Sequence, residues 1–457
     1  MPPASPGNID EKTWSFRFSE ELASLSSTLP PIRPNRSLGS AAAIRDIRIG
    51  KCRQRIIQMA RPVYNVKLAG AKGDGVTDDT QVFKRLIASI PNNPFSTTDP
   101  RNAGPVIFIP AGTYLISEPL EIKLFSGLEI SGEGNSPGDD PLTNPAVFGP
   151  RSVLVWTGPT SGDNPLLRLI DIQGLTIKDL GFQGRLPEEE GRCVALINFR
   201  FAGGRGNINN TVRNVVFWDA DVAILCGEDD EDEGTNSCLL FEMVTFKDCG
   251  IGFRVNNKQG VNYLFNSLFA SGCDTILDFP FGGSVTVSSM GCTDCGNASG
   301  KYAIEFGEGG PNIGPSVITA FRYENVSKLL RVAGDHRLIC DGWGQAAAAP
   351  GVPADTLTPL IFLAKGGTAF YNSSWQFTQT NAPTIFGFGT PTTGNYCTLS
   401  LDRCQFPFNE FAGDPPAFPV TDVILNPNQT NCAWDFHRCD GPGHKPLPDA
   451  TSGDWNP

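Results

Sequence analysis

The chain has 457 residues, including 50 Gly, 37 Pro and 30 Phe, and charged residues make up only 18% of it. This composition predicts a turn-rich, mostly β protein rather than a helical one. The net charge of −12 argues against nucleic acid as a partner because an acidic body repels phosphate.

Residues 1–62 form a separate N-terminal region. The segment from Arg33 to Lys67 carries nine basic residues and one acidic residue, Asp46. We predict a docking arm that binds an acidic protein surface or a neighbouring subunit. The first residues lack a basic stretch followed by an apolar run, and no segment has the roughly 18 continuous apolar residues of a membrane span. We therefore expect neither a secretory signal nor membrane insertion.

The next stretch, Ala69 to Leu86, reads AGAKGDGVTDDTQVFKRL. Thr77 is predicted as a helix N-cap, with Asp78 and Asp79 in the first turn where the helix dipole favours negative charge. We therefore assign Asp74, Asp78 and Asp79 to turns and caps rather than to catalysis. The apolar face of the predicted helix, which ends at Pro91, comprises Val82, Phe83, Leu86, Ile87 and Ile90.

Residues 104–117, GPVIFIPAGTYLIS, contain two apolar runs around a Pro-Ala-Gly turn and predict two strands. Together with the preceding VKLAGAKGDGVTDDTQVFKRLI, they resemble the N-terminal signature of the pectate-lyase-like superfamily. The resemblance implies an all-β, right-handed parallel β-helix over residues 63–440, with a short N-terminal capping helix. Residues 441–457 would be a Pro/Gly-rich tail. Phage tailspikes, polysaccharide lyases and glycoside hydrolases share this signature, so it does not select a reaction.

A repeat in the chain supports stacked coils. An aromatic residue is followed two positions later by a small polar residue and seven positions later by an apolar one. The four examples are Phe217-Asp219-Ile224, Phe246-Asp248-Phe253, Phe269-Ser271-Ile276 and Tyr323-Asn325-Leu330, with a looser coil at Cys292-Asp294. Variable intervals of this size are typical of a solenoid whose insertions leave from its corners.

The small polar positions of this repeat are the predicted catalytic column. Equivalent residues on successive coils lie about 4.8 Å apart, close to the roughly 5 to 5.5 Å carboxyl separation of retaining glycosidases. Asp219 and Asp248 are therefore the main catalytic candidates, with Glu242 and Asp221 as secondary acids. The alternative interpretation is a ladder of turn residues whose side chains bond nearby backbone.

Three tryptophans, Trp218, Trp343 and Trp375, fall near successive coils and are the predicted substrate-binding residues. Their aromatic faces would stack on sugar rings if they lined a groove. The alternative is burial inside the solenoid or at a subunit interface.

Among the thirteen cysteines only Cys292 and Cys295 have the paired spacing of a metal site, without a second pair or a nearby His, and we interpret the cysteines as mostly buried free thiols. The acidic segment Gly227 to Gly234 is predicted to be a solvated corner loop, with a calcium site as the alternative. It lacks the ligand spacing of an EF-hand loop. We therefore predict no metal and no cofactor.

Taken together, these features predict a virion tailspike or tail-fibre-like protein that binds, and in one version depolymerises, a host surface polysaccharide. It would be a homotrimer whose N-terminal arm docks to a tail or other virion protein. One alternative is a free bacterial polysaccharide lyase or glycoside hydrolase, extracellular or periplasmic. A second is a non-catalytic structural or adhesive β-helix. The chain lacks the motifs of polygalacturonases and of true pectate lyases, so the resemblance assigns no catalytic residue.

Overall fold

The computed structural model divides the chain into two compact units, Met1–Ala60 and Arg61–Pro457. Residues 1–60 of the predicted docking arm, the acidic residues 228–233 and most of the tail lie outside the described residues. The structure describes residues 61–91, 104–134, 152–185, 191–203, 206–227, 234–257, 260–281, 283–308, 314–347, 359–375, 385–389, 396–405, 424–425, 432–440 and 450–451.

The described residues of the second unit form strands and one helix, α1 (Thr80–Ser89). The strands are β1 (Val63–Asn65), β2 (Asp74–Asp78), β3 (Val106–Phe108), β4 (Gly112–Ile116), β5 (Leu120–Lys123), β6 (Glu129–Ser131), β7 (Ser152–Trp156), β8 (Leu167–Ile170), β9 (Thr176–Gln183), β10 (Cys193–Arg200), β11 (Asn207–Ile208), β12 (Thr211–Trp218), β13 (Ala220–Cys226), β14 (Asn236–Ser237), β15 (Leu240–Lys247), β16 (Ile251–Val255), β17 (Tyr263–Ser271), β18 (Thr275–Phe279), β19 (Val285–Val287), β20 (Met290–Thr293), β21 (Ile304–Phe306), β22 (Ser316–Thr319), β23 (Phe321–Glu324), β24 (Leu330–Val332), β25 (Arg337–Asp341), β26 (Gly344–Ala347), β27 (Ile361–Leu363), β28 (Gly366–Tyr371), β29 (Phe386–Phe388), β30 (Cys397–Asp402), β31 (Ile424–Leu425), β32 (Cys432–His437) and β33 (Ala450–Thr451).

These strands stack as successive coils of a right-handed parallel β-helix. One coil runs through β12, turns into β13 and returns to β15, and β12 pairs in parallel with β15 while β13 pairs with β16. An eleven-stranded sheet forms one side of the coils, and a twenty-stranded sheet covers the rest. Among the described strands, only β33 pairs antiparallel, with β32. The predicted fold class is confirmed.

Two corners of the coil have left-handed backbone. Asn214 lies in the middle of β12 with a φ of 52°, and Met243 and Ser267 take the same place on the next two coils with φ of 50° and 62°. This bend lets one long strand contribute to two faces. At the second corner, between the two sheets, Asp219 and Asp248 have φ of 50° and 52°. Asp, Asn and Gly tolerate this conformation better than other residues.

The interior of the coils is an apolar ladder. The rings of Phe182 and Phe217 stack 5.3 Å apart, and Phe246 continues the row at 5.7 Å from Phe217. Their side chains are fully buried. Aromatic pairs of this kind add to the free energy of burial and fix the register of successive coils.

The predicted repeat needs correction at its third coil. Phe246 pairs with Ala270, not with Phe269, and Phe253 pairs with Leu277, not with Ile276. The residue in phase with Asp248 is therefore Gly272, because its neighbour Ser271 pairs with Lys247. A one-residue shift moves a side chain to the other face of a strand, so Phe269 lies outside the coil and is 47% exposed.

The first coil is capped by α1, as predicted, but the helix starts two residues later than expected. Its N-cap is Asp79 and not Thr77. The Asp79 carboxylate accepts hydrogen bonds from the N–H groups of Lys72 and Gly73, at 2.7 and 2.9 Å. Asp78 accepts bonds from the Thr80 N–H and the Ser117 hydroxyl. These carboxylates hold the turn that leads into the helix.

Nine of the ten free cysteines in the described residues are buried, and Cys238 is exposed. Cys249, Cys273 and Cys295 each donate an S–H bond to the carbonyl two residues earlier, at 3.3 to 3.6 Å. Cys397 is disulfide-bonded. No group of three or more His, Cys, Asp or Glu in the described residues is placed to hold a metal ion. The helix of the described part is too short and too polar to span a bilayer.

Candidate functional site

One row of side chains, the outer column, runs along the outside of the eleven-stranded sheet. Each member lies between two residues of the apolar core, so alternation along the strand directs it away from the core. Parallel pairing places the members on successive coils. They are Glu121, Arg168, Asn198, Leu225, Arg254, Asp278, Glu305, Arg331 and Phe362.

The centre of the outer column is a pair of carboxyls between two arginines. Asp278 and Glu305 pair directly on adjacent coils, and their side chains are only 12% and 13% exposed. Arg254 Nε lies 3.5 Å from Asp278 Oδ2, and Arg331 approaches Glu305 Oε2 at 3.9 Å. The N–H of Tyr302 donates to Glu305 Oε1 at 2.8 Å. Both acids are thus held in place and partly removed from water.

The surroundings favour the protonated form of Asp278. Burial raises the pKa of this carboxyl, Arg254 acts in the opposite direction, and the neighbouring Glu305 raises the pKa further. Glu305 is held beside Asp278 by the Tyr302 backbone N–H and by Arg331. A proton donor beside a carboxylate is the arrangement required for general acid and base catalysis.

Two coils before Arg254, the same column holds an unsatisfied acceptor. Asn198 is 3% exposed, and its Oδ1 has no hydrogen-bond partner within the described part of the chain. A buried carbonyl without a partner costs about 1–3 kcal/mol. The outer column therefore offers a hydrogen-bond acceptor beside its charged centre.

The predicted acids Asp219 and Asp248 lie elsewhere, at the second corner. They follow the paired residues Trp218 and Lys247 on adjacent coils. Burial raises the pKa of Asp248, Lys247 lowers it and Asp219 raises it. Asp219 is paired with Arg185 at 3.2 Å. The adjacency that was predicted for the two carboxyls is present in the structure.

The same corner supports the alternative of a turn ladder. Its column continues through Gly272, Asp294 and Asn325, all with positive φ, and the Asn325 amide donates to the Asp294 carboxylate. The backbone alone therefore accounts for short polar residues at these positions.

The secondary acids are not joined to the corner pair. Glu242 lies before the bend at Met243 and pairs with Arg213 and Asn266 on the neighbouring coils. Asp221 is exposed as a residue, although neighbouring atoms partly bury its carboxyl. This partial burial raises the pKa of the carboxyl, and Arg192 lowers it. The catalytic roles of Asp219, Asp248 and Glu242 remain predictions.

The tryptophans that were predicted to contact sugar are buried. Trp218 is 2% exposed, and Trp343 and Trp375 are each 1% exposed. Trp343 packs edge-on against Phe321 and Phe370, and its Nε1–H donates to the Ile318 carbonyl at 3.0 Å. The expectation of an exposed row is wrong. Trp343 and Trp375 belong to the apolar core of the coils, whereas Trp218 follows the inward-facing Phe217 and is covered on the outer face of its strand.

Sequence reasoning missed Asp278 and Glu305, although a signal for them exists. Both are the middle residue of an apolar–charged–apolar triplet, Leu277-Asp278-Phe279 and Ile304-Glu305-Phe306. The triplets recur on neighbouring coils with Arg254 and Arg331 at the centre. A search for charged residues in phase with the apolar ladder would have found all four.

These stacked coils and their capping helix define the protein class: the chain has the fold of the pectate-lyase-like superfamily of right-handed parallel β-helix proteins. A family model described as rhamnogalacturonase A/epimerase, pectate lyase-like, matches residues 63–164. A glucan 1,3-beta-glucosidase of Cochliobolus carbonum is 44% identical over 57 residues, which are 12% of this chain and 7% of that protein. A non-secreted LysM effector, LysM19 of Penicillium expansum, is 35% identical over 71 residues, 16% of this chain and 5% of that protein. The chain thus matches less than a tenth of the length of these relatives.

Solved structures are similar over most of the chain. The A-module of the mannuronan C-5 epimerase AlgE4 from Azotobacter vinelandii has a TM-score of 0.55 at 12% identity, covering 83% of this chain and 96% of the module. A DFA-IIIase from Arthrobacter chlorophenolicus has a TM-score of 0.55 at 14% identity, covering 84% of this chain and 95% of that enzyme. At such identities the likeness establishes the fold alone.

Proposed function

We propose that the chain binds a polysaccharide along the outer column and hydrolyses a glycosidic bond at Asp278 and Glu305. The observation that carries the proposal is the position of these acids. They lie on regular strands, where the backbone has no need of a carboxylate, and they are partly buried on adjacent coils. Partial burial of two like charges side by side costs stability, so a chemical role is the better explanation.

The roles of the pair follow from their surroundings. Asp278, whose pKa is raised by burial, donates a proton to the oxygen of the leaving sugar. Glu305 attacks the anomeric carbon, and water then releases the sugar with Asp278 acting as base. The coil spacing of about 4.8 Å is close to the carboxyl separation of retaining enzymes. Arg331 and the Tyr302 N–H hold the Glu305 side chain in position.

The comparisons support a carbohydrate ligand. The matching family model is named for a rhamnogalacturonase and an epimerase, and one matching relative is named as a glucan 1,3-beta-glucosidase. A similar structure is named as a mannuronan epimerase. These names point to different glycans, so the proposal is made for polysaccharides as a class.

The test is a product assay on a panel of polysaccharides, including β-1,3-glucan, polygalacturonate and alginate. New reducing ends without ultraviolet absorbance are expected from wild type, because hydrolysis forms no unsaturated sugar. Glu305→Gln is expected to be inactive while it still binds the polymer. Unsaturated products, or equal activity of wild type and Glu305→Gln, would contradict the proposal.

The tailspike role is a finer version of the same proposal. It adds a virion location, a homotrimer and docking through residues 1–62, and it rests on the excess of basic residues between Arg33 and Lys67. The mass in solution tests it, since a monomer would count against a tailspike and in favour of a free glycoside hydrolase. Binding without products from any glycan would favour an adhesive β-helix.

A further inference from the structure

Phe269 is an exposed aromatic residue on the outside of the twenty-stranded sheet. Its side chain is 47% exposed, and no other Phe of the described residues is among the exposed large apolar side chains. Because of the one-residue shift of this coil, Ala270 and not Phe269 lies in the core. The ring therefore contributes little to the core and presents apolar surface to solvent.

The neighbours of Phe269 leave the ring accessible. Thr245 precedes it and Gly291 follows it on the adjacent coils, and Arg322 comes next. A side chain at Gly291 would begin 3.3 Å from the Cδ2 atom of the ring, so the glycine leaves the space that the ring edge occupies. The surface beyond the ring is therefore open backbone at Gly291, and the side chain of the exposed Arg322 extends away from the ring, over Gly344.

Polar side chains run beside this aromatic surface. Ser271 lies two residues after Phe269, and Thr293 lies two residues after Gly291, so both are on the same face as the ring. Ser271 and Thr293 pair on adjacent coils. Met243, 55% exposed at the bend on the preceding coil, widens the apolar part. An apolar ring face next to hydroxyl groups matches a pyranose ring, which has an apolar C–H face and a rim of hydroxyls.

We propose that Phe269, with Ser271 and Thr293, forms a second polysaccharide-binding surface, separate from the outer column. A pyranose ring stacks on Phe269, and its hydroxyls bond to the polar row. This surface rests on the proposed function and adds to it. It lies on a different sheet from Asp278 and Glu305, so it would hold a long polymer without taking part in the reaction.

Phe269→Ala tests this surface with three matched variants. Gly291→Ala pushes the ring aside without removing it, since its φ is not positive and the added methyl approaches Cδ2. Ile339→Ala removes a 37% exposed apolar side chain outside the proposed surface and serves as control. Glu305→Gln reports on the outer column. Binding to insoluble β-1,3-glucan, polygalacturonate and alginate is measured together with activity on short soluble oligosaccharides and the mass in solution.

We expect Phe269→Ala to weaken binding to the retained polymer by about 5- to 10-fold, because one stacking contact is lost, and Gly291→Ala to weaken it less. Activity on short oligosaccharides should stay at the wild-type value, and Ile339→Ala should bind as wild type does.

Equal polymer binding by Phe269→Ala and wild type would overturn the second surface alone. A changed mass of Phe269→Ala would overturn it in favour of contact between copies. Loss of oligosaccharide cleavage only in Glu305→Gln supports the outer column separately, and failure of wild type to bind any polymer would contradict both proposals.

Discussion

The corner pair Asp219–Asp248 and the outer pair Asp278–Glu305 are alike in several respects. In both, two carboxyls lie on adjacent coils with a cation nearby, and burial raises the pKa of one member. They differ in backbone. The corner acids have φ near 50°, whereas the outer acids lie within regular strands.

This difference separates acids that the chain conformation requires from acids that it does not. Left-handed residues are preferably Gly, Asn or Asp, so an aspartate at the corner has a structural explanation. A strand interior disfavours Asp, and any apolar or polar residue would fit the outer column. Adjacent carboxyls therefore indicate a catalytic role only where the local backbone conformation does not already favour Asp.

The largest expected effect distinguishes the two pairs by activity. Asp278→Asn should lower kcat/KM by about 10²–10⁴-fold, the contribution typical of a general acid or base, and Glu305→Gln, which removes the proposed nucleophile, should be inactive. Asp219→Asn and Asp248→Asn keep the left-handed corner and should change kcat/KM by less than about twofold. Initial rates on a cleaved polysaccharide measure both. A loss confined to the corner variants would reverse the assignment.

The second prediction concerns the acids before α1, which belong with the structural class. The double variant Asp78→Ala and Asp79→Ala removes charged acceptors from the Lys72, Gly73 and Thr80 N–H groups. We expect the free energy of unfolding to fall by on the order of 3 kcal/mol.

Denaturant titration measures the loss, and the specific activity of the folded fraction should be unchanged. Lys84→Ala, which removes an exposed ion pair with Glu118 and a weaker attraction to Asp78, is the control and should cost less than about 1 kcal/mol. If the double variant lost activity but kept its full stability, Asp78 and Asp79 would have a catalytic or binding role instead.

The third prediction tests whether backbone conformation accounts for Asp248. Asp248→Ala should lower the free energy of unfolding by about 1–2 kcal/mol, because alanine resists left-handed φ. Asp248→Asn, which tolerates it, should be neutral or slightly stabilising, since a buried charge next to Asp219 is removed. Thermal unfolding of both variants gives the comparison. Equal losses would mean that the charge, not the backbone, matters at this corner.

The smallest effect is a change in pH dependence. As a general acid, Asp278 is active when protonated, so the rate falls as pH rises through its raised pKa. Arg254 lowers that pKa, and Arg254→Met should move the alkaline limb of the pH–rate profile upward, by less than about one unit.

Asp219→Asn is the matched control, because it affects the pKa of Asp248 only and should leave the limb in place. The raised pKa of Asp278 also makes the stability of the folded state depend on pH. A raised carboxyl pKa favours the folded state below the unfolded pKa of about 3.9, and this contribution is lost as pH rises through the folded value.

The fold could be predicted from the sequence because the apolar ladder and the capping helix leave local patterns. Phe217, Phe246 and Tyr323 fix the phase of their coils through a two- and seven-residue spacing that the structure reproduces. The third coil was misread because Phe269 is aromatic and Ala270 is small, and composition alone cannot show which of two neighbours points inward.

The outer pair was harder to predict, since exposure depends on neighbouring coils. An aromatic residue in a strand indicates neither core nor groove until its register is known, which explains the wrong expectation for Trp343 and Trp375. Asp278 and Glu305 are 27 residues apart in the sequence. They become neighbours only through the pairing of their strands on adjacent coils.

The uneven interval between coils has a consequence for how such a protein changes over time. Phe217, Phe246, Ala270, Cys292 and Tyr323 stay aligned although different lengths of chain connect them. Connecting segments can thus be lengthened or exchanged while the distance between Asp278 and Glu305 is preserved. Selection could retune which sugars fit without disturbing the atoms that react, and a designer could do the same by grafting loops.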